Sequence, residues 1–240
     1  MRFDPPDAYW QKEVSLFLSR RFALLIKMLY PVAIIAPVAA SDIPARYAAA
    51  VVGIVAIMAG TFGAGESLTS DLNDGILARV ALTPLSPRRL VFEILAVNAA
   101  LDFVQLLAAL LVVYLLHPVS LVWVLAATFA VFATLVAANC IGVFIANFTS
   151  SPADVLLYAT AILFPLIYVS GFFRAGNPTG LLATLRDFVP FAYANDAMKT
   201  VFGLATDTAP LEAFVYPAIV CAVLVVGVCL TAPRLLSQRL

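Results

Sequence analysis

Six apolar runs, near residues 23–40, 48–66, 91–116, 120–147, 155–173 and 213–232, decide what this chain can become. Crossing a hydrocarbon layer takes about 20 mostly apolar residues in helical form. No water is available there to satisfy backbone N–H and C=O groups, so a spanning segment is a helix or a strand of a closed barrel. The sequence lacks the short alternating segments of a membrane barrel. Hydrophobic types make up 63% of the 240 residues and charged types 12%, and the mean hydropathy is +1.02. A soluble domain carries about 25% charged residues. The expected fold class is therefore an all-α membrane protein with six transmembrane helices, forming a single transmembrane domain over residues 1–240.

Lys plus Arg equals Asp plus Glu, 14 each, which gives no reason to expect a nucleic-acid partner. Cys140, Cys221 and Cys229 all lie inside apolar runs, with neither a disulfide framework nor a zinc spacing. His117 ends an apolar run beside Pro118 and reads as a helix-end residue at the membrane surface. No metal site is expected.

Six spans place both termini on one side, and the positive-inside rule chooses which. Arg2, Lys12, Arg20, Arg21, Arg79, Arg88, Arg89, Arg234 and Arg239 fall on the terminal side, against Arg46, Arg174, Arg186 and Lys199 on the other. Both termini are thus expected in the cytoplasm, as is the loop at 67–90. Residues 1–22 carry acidic groups and no cleavage site, so they read as an interfacial amphipathic helix rather than a signal peptide. Trp10, Val14, Phe17 and Leu18 form its apolar face. Residues 174–212 contain two short apolar helices separated at Pro190, with Asn195 as a candidate cap of the second. Helices too short to span predict an outer re-entrant hairpin buried by protein.

Polar groups within the spans are candidate functional residues, because ionisable side chains in a bilayer face protein or a wet cavity. Asn98, Asp102 and Gln105 form one stripe on the third span. They line either a translocation path or a structural contact, for which Lys27 of the first span is the expected partner of Asp102. Gly60, Gly63 and Gly65 read as a close-packing surface. Phe164, Tyr168 and Phe172, together with Pro165, are a candidate aromatic path on the fifth span, with simple packing as the alternative.

The stretch SDLNDGILARVALTPLSPRR at 70–89 admits two readings. Asp71, Asp74, Gly75, Ala78 and Arg79 resemble the start of the metal-binding signature of CDP-alcohol phosphatidyltransferases. The three positions that would complete it hold Arg88, Phe92 and Ala96, so the second half of a divalent-cation site is missing. In the other reading Leu72, Ile76 and Val80 are the apolar side of a cytoplasmic helix of about three turns. Asp71, Asp74 and Arg79 are its polar side, and Thr83-Pro84 is its stop. Such a helix suits a groove on a partner protein.

The order of three motifs resembles the permease subunit of a type-2 ATP-binding-cassette exporter. Asp74, Gly75, Leu77, Arg79 and the TPLS at 83–86 match the first. FPLIYVSGFF, with Pro165, Ser170 and Gly171, matches the second. Pro190, Tyr193, Asp196 and Lys199 match the third, where the family more often has arginine at the last place. The resemblance implies half of a transmembrane dimer in the inner membrane, made with a second copy of this or a similar permease. It implies that a cytoplasmic ATPase subunit binds ATP and Mg2+ for it. Asp71, Leu72, Asp74, Gly75, Ile76, Leu77, Arg79, Val80 and Pro84 would couple to that subunit, with a smaller contact near Ser150 to Asp154. Pro190, Tyr193, Asp196 and Lys199 would form an outer gate. The chain itself carries no G-x-x-x-x-G-K-[ST] phosphate loop, so it is not expected to be an enzyme or to bind a cofactor. The expected cargo is hydrophobic or amphipathic: a drug, a lipid or a lipid-linked glycan. The alternatives are an ion-coupled carrier built around Asp102 and a phosphatidyltransferase-like membrane enzyme.

Overall fold

The computed structural model describes residues 9–19, 21–41, 44–76, 86–118, 120–173, 179–201 and 210–236. These form α1 (Tyr9–Ser19), α2 (Arg21–Ala39), α3 (Ala45–Asn73), α4 (Pro87–Leu116), α5 (Leu121–Ala146), α6 (Pro152–Val169), α7 (Leu181–Asp187), α8 (Pro190–Val201) and α9 (Pro210–Leu236), with no strand among the described residues. Four helices are long and apolar enough to cross a membrane: Tyr47–Asn73, Pro87–Leu116, Leu121–Ala146 and Pro152–Val169. A fifth candidate is the pair α1 and α2, whose axes differ by 79°. The described apolar part of α9 is the shorter stretch Val215–Thr231.

The sequence explains which helix is central. α5 has no polar face, and a helix apolar all round is a buried one. It packs against α3, α4, α6, α8 and α9. The α3–α5 crossing is the tightest, because glycines let the two backbones meet. A Cβ at Gly60 would stand 2.9 Å from the Leu135 carbonyl oxygen, and one at Gly142 would collide with the Thr61 carbonyl oxygen. Thr61 Oγ1 also donates to the Ala138 carbonyl at 3.2 Å. The expected role of Gly60 and Gly65 as a packing surface is what the helices show.

Two apolar cores follow from this arrangement. One lies toward the α7–α8 hairpin and includes Ile35, Ile57, Leu106, Val131, Leu135, Phe191 and Met198. The other lies at the opposite end, beside α1, around Tyr9, Leu68, Val91, Ile94, Cys140 and Val143. These ends are called the hairpin end and the α1 end below.

Several sequence boundaries move. The second apolar run stops at residue 66, whereas α3 continues to Asn73. Its last two turns are polar but remain helical because α1 and the α5–α6 turn supply partners, as described below. The fifth run extends to 173, but α6 ends at Val169, and Gly171 turns the chain at φ +81°. Asn195 is not a helix cap. Pro190 opens α8, as suits a residue with no N–H and φ already near helical, and Asn195 sits inside the helix, buried. His117 does act at a helix end: its Nε2 lies 3.0 Å from the Ala39 carbonyl oxygen in the last turn of α2.

Candidate functional site

At the α1 end three chain segments are fastened together. Ser151 caps α6 and Asp154 reaches back to the Ser151 N–H at 3.0 Å, a reciprocal capping box that fixes the α5–α6 turn to the start of α6. Asn73 Nδ2, at the end of α3, donates to the Ser150 carbonyl at 3.0 Å. Thr69 and Thr149 hydroxyls meet at 3.3 Å beneath it, out of solvent. The third segment is α1. Tyr9 donates its hydroxyl to Asp71 Oδ2 at 2.7 Å, and Lys12 pairs with the other carboxylate oxygen. Burial pushes the Tyr9 phenol well up from its ordinary value, and the Asp71 carboxylate adds to the shift. Tyr9, Lys12 and Glu13 therefore turn toward the bundle, while Trp10 and Leu18 face outward with the apolar side of α1.

This arrangement corrects the uninterrupted helix expected from residue 71. The chain turns at Asp74 and Gly75, where Gly75 takes φ +65°, and helical backbone resumes at Ile76. A positive φ is nearly free for glycine and costly for other residues, so this residue sets the break. Asp71 belongs to α3, is 5% exposed and is occupied by Tyr9 and Lys12. Leu72 packs inward against the α1-end core. Asp71 therefore offers little surface to a partner, while Leu72 is half-buried. Asn73 and Asp74 are exposed, and Gly75 and Ile76 are half-buried. Leu77, Arg79, Val80 and Pro84 lie outside the described residues.

The polar stripe is resolved differently. Asn98 and Asp102 are buried and Gln105 is half-buried. Asp102 Oδ2 accepts from Asn139 Nδ2 of α5 at 3.3 Å, and the same amide donates to the Leu135 carbonyl at 2.9 Å. Gly63 makes room for the carboxylate: a Cβ there would lie 3.1 Å from Asp102 Oδ1. No ion pair joins Asp102 to Lys27 among the described residues; Lys27 acts on the carboxylate from longer range, and Asn139 is its hydrogen-bond partner. Among the described residues, Asn98 Nδ2 and Asn139 Oδ1 are buried without hydrogen-bond partners.

The three aromatic candidates separate. Phe164 and Tyr168 stand on the exposed side of α6, whereas Phe172 lies past its end, buried against Gly53 and near Met198. The third motif closes the hairpin. Arg186 of α7 pairs with Asp196 of α8, and Tyr193 donates its hydroxyl to the Asp187 carbonyl at 2.8 Å. Asn195 Nδ2 donates to the Ser170 carbonyl and Lys199 Nζ to the Gly171 carbonyl, each at 3.0 Å. Pro190 supplies the first residue of α8. Sequence reasoning did not single out Tyr9, Asn73, Asn139 or Arg186. For Asn139 a signal existed, since an amide inside an apolar run needs a polar neighbour.

Long apolar helices fastened by polar clusters at both ends define a multi-pass membrane protein. Residues 8–202 match the family model described as ABC-2 type transporter, and the chain belongs to that family. It is accordingly a transmembrane permease of an ABC-type transporter and is not itself the catalytic component. Among curated proteins none matches the chain. The family assignment takes the place of the carrier and phosphatidyltransferase alternatives.

Proposed function

We propose that two copies of this permease form the path of an ATP-driven exporter in the inner membrane, each copy bound to a cytoplasmic ATPase subunit. α2 and α9 act as the first and last of six spans, which puts the α1 end and both termini in the cytoplasm. The observation that carries this reading is the fastened α1 end. α1, the end of α3 and the α5–α6 turn are joined there by Tyr9, Lys12, Asp71, Asn73 and Ser150. Loosely held turns would absorb a push from a partner, whereas joined turns pass it on. Helical backbone resumes at Ile76 after the Gly75 break; Asp74, Gly75, Ile76, Leu77, Arg79, Val80 and Pro84 are the coupling residues, and Asp71 and Leu72 support them from behind.

ATP and Mg2+ reside on the ATPase. Their binding draws the ATPase subunits together, and the coupling segments carry that motion into the bundle. The α7–α8 hairpin, with Pro190, Tyr193, Asp196 and Lys199, dips into the outer leaflet as the gate. The apolar, aromatic exposed side of α6, with Phe164 and Tyr168, faces the second copy and an amphipathic cargo. The test is co-purification from the native membrane in mild detergent. An ATPase recovered at near one-to-one ratio, and released when Asp74 and Arg79 are both reversed in charge, is the expected result. A chain that comes out with no ATPase would sink the reading.

A further inference from the structure

α6 differs from the other spans in how it is held. Only 22% of its apolar window is buried, against 67% for the window of α3. Its ends, by contrast, are pinned. At the α1 end the Ser151–Asp154 capping box and the Asn73–Ser150 hydrogen bond fix its start. At the hairpin end the carbonyls of Ser170 and Gly171, just past its last turn, are taken by Asn195 and Lys199 of α8. A lysine ammonium is well placed there, since the C-terminal end of a helix carries partial negative charge. Pro165 lies one turn from that end and supplies no N–H to the helix, which gives it a place to bend.

An 18-residue helix is about 27 Å long. One face of this rod, with Val155, Ala159, Leu163 and Ile167, packs into the bundle, the opposite face is open, and polar contacts hold its two ends. α3, by contrast, is locked backbone to backbone against α5 through Gly60 and Gly142. At the far end the hairpin is itself a unit, closed by Arg186–Asp196 and by Tyr193 on the Asp187 carbonyl. The side-chain hydrogen bonds to the Ser170 and Gly171 carbonyls, just past the rod, come from Asn195 and Lys199 of that unit.

We propose that Asn195 and Lys199 are positioning residues that seat the α7–α8 hairpin on the end of α6, so that motion at the α1 end reaches the hairpin through α6. The proposal rests on the exporter reading. It assigns the two residues a transmitting role, and neither touches cargo or nucleotide.

The experiment uses the full chain purified with its ATPase in lipid nanodiscs. Spin labels at Phe188→Cys (native residue 81% exposed) and Leu121→Cys (73% exposed) report the distance from the hairpin to the neighbouring start of α5. Pulsed electron resonance compares the nucleotide-free state with the state trapped by Mg-ATP and vanadate. In the otherwise unaltered chain the distance shifts. Lys199→Met removes the shift at an unchanged melting temperature, and Lys199→Arg, which keeps a cationic donor, retains it. Asn73→Ala removes it too, from the opposite end of the rod and at an exposed position that leaves folding intact. A shift of full size in both Lys199→Met and Asn73→Ala overturns the inference and leaves the exporter reading standing. A parent chain that shows no shift with nucleotide trapped overturns the exporter reading and this inference with it.

Discussion

α3 and α6 are both membrane-span candidates, yet they are built on opposite plans. α3 presents glycines to α5 and is held along its length. α6 presents Leu157, Phe164 and Tyr168 outward and is held by one apolar stripe and by polar contacts at its tips. The difference shows that hydropathy measures whether a helix belongs in a membrane and says nothing about what it is fastened to. Small residues and isolated polar ones carry that second message. In a bilayer the hydrophobic effect does not drive helices together, so close backbone approach and interhelical hydrogen bonds do that work.

The sharpest way to break the comparison is to place a large side chain where backbones meet. Gly142→Leu drives a Cβ into the Thr61 carbonyl, and a backbone atom has nowhere to go. The expected cost is about 3 kcal/mol or more, seen as loss of monodisperse protein on size-exclusion chromatography. Normal yield and melting temperature would refute the tight α3–α5 seam. Asn139→Leu comes next. It strips Asp102 of its described hydrogen bond and costs about 2 kcal/mol, as for other buried polar groups left unsatisfied. Adding Asp102→Leu should recover most of the loss in a thermal melt, since removing both partners of a buried polar pair is far milder than removing one. A double variant that is stable but dead in transport would return Asp102 to the translocation path. The smallest effect belongs to α6. Phe164→Ala, at a residue 63% exposed in the single chain, changes the melting temperature of the isolated chain by the equivalent of about 0.5 kcal/mol or less. It should nevertheless lower the fraction of dimer measured by chemical cross-linking. A destabilisation as large as that of Asn139→Leu would mean that the outward side of α6 is packed within the single chain.

Much of the architecture was legible in residue patterns, and the reasons for the misses are specific. The apolar runs at 91–116, 120–147 and 155–173 located α4, α5 and α6, although α4 and α6 start a few residues earlier, at prolines that follow the capping residues Ser86 and Ser151. The end of α3 did not show, because a hydropathy reading stops at Glu66 while the polar residues beyond it find protein partners in Tyr9, Lys12, Thr149 and Ser150. The Gly75 break was hidden by the regular spacing of Leu72, Ile76 and Val80, which a glycine does not interrupt in sequence but does in backbone. Within the candidate site, Asp102 could be read from its position in an apolar run, and Asp196 only through the family motif. Asn139 carried the same signal as Asp102, but which partner each residue takes depends on which helices pack and not on charge alone. Charge complementarity pointed Asp102 at Lys27; the fold gave it an amide.

The seat of Phe172 against Gly53 has a consequence for how this chain can vary. A Cβ at position 53 would run into the Phe172 ring and stand 2.7 Å from the Met198 methyl. Neither site is free to drift by itself. Enlarging 53 first drives the added carbon into the Phe172 ring, and shrinking 172 first leaves a hole. The two positions, more than a hundred residues apart in the chain, are therefore expected to vary together, and a set of related sequences can be asked whether they do.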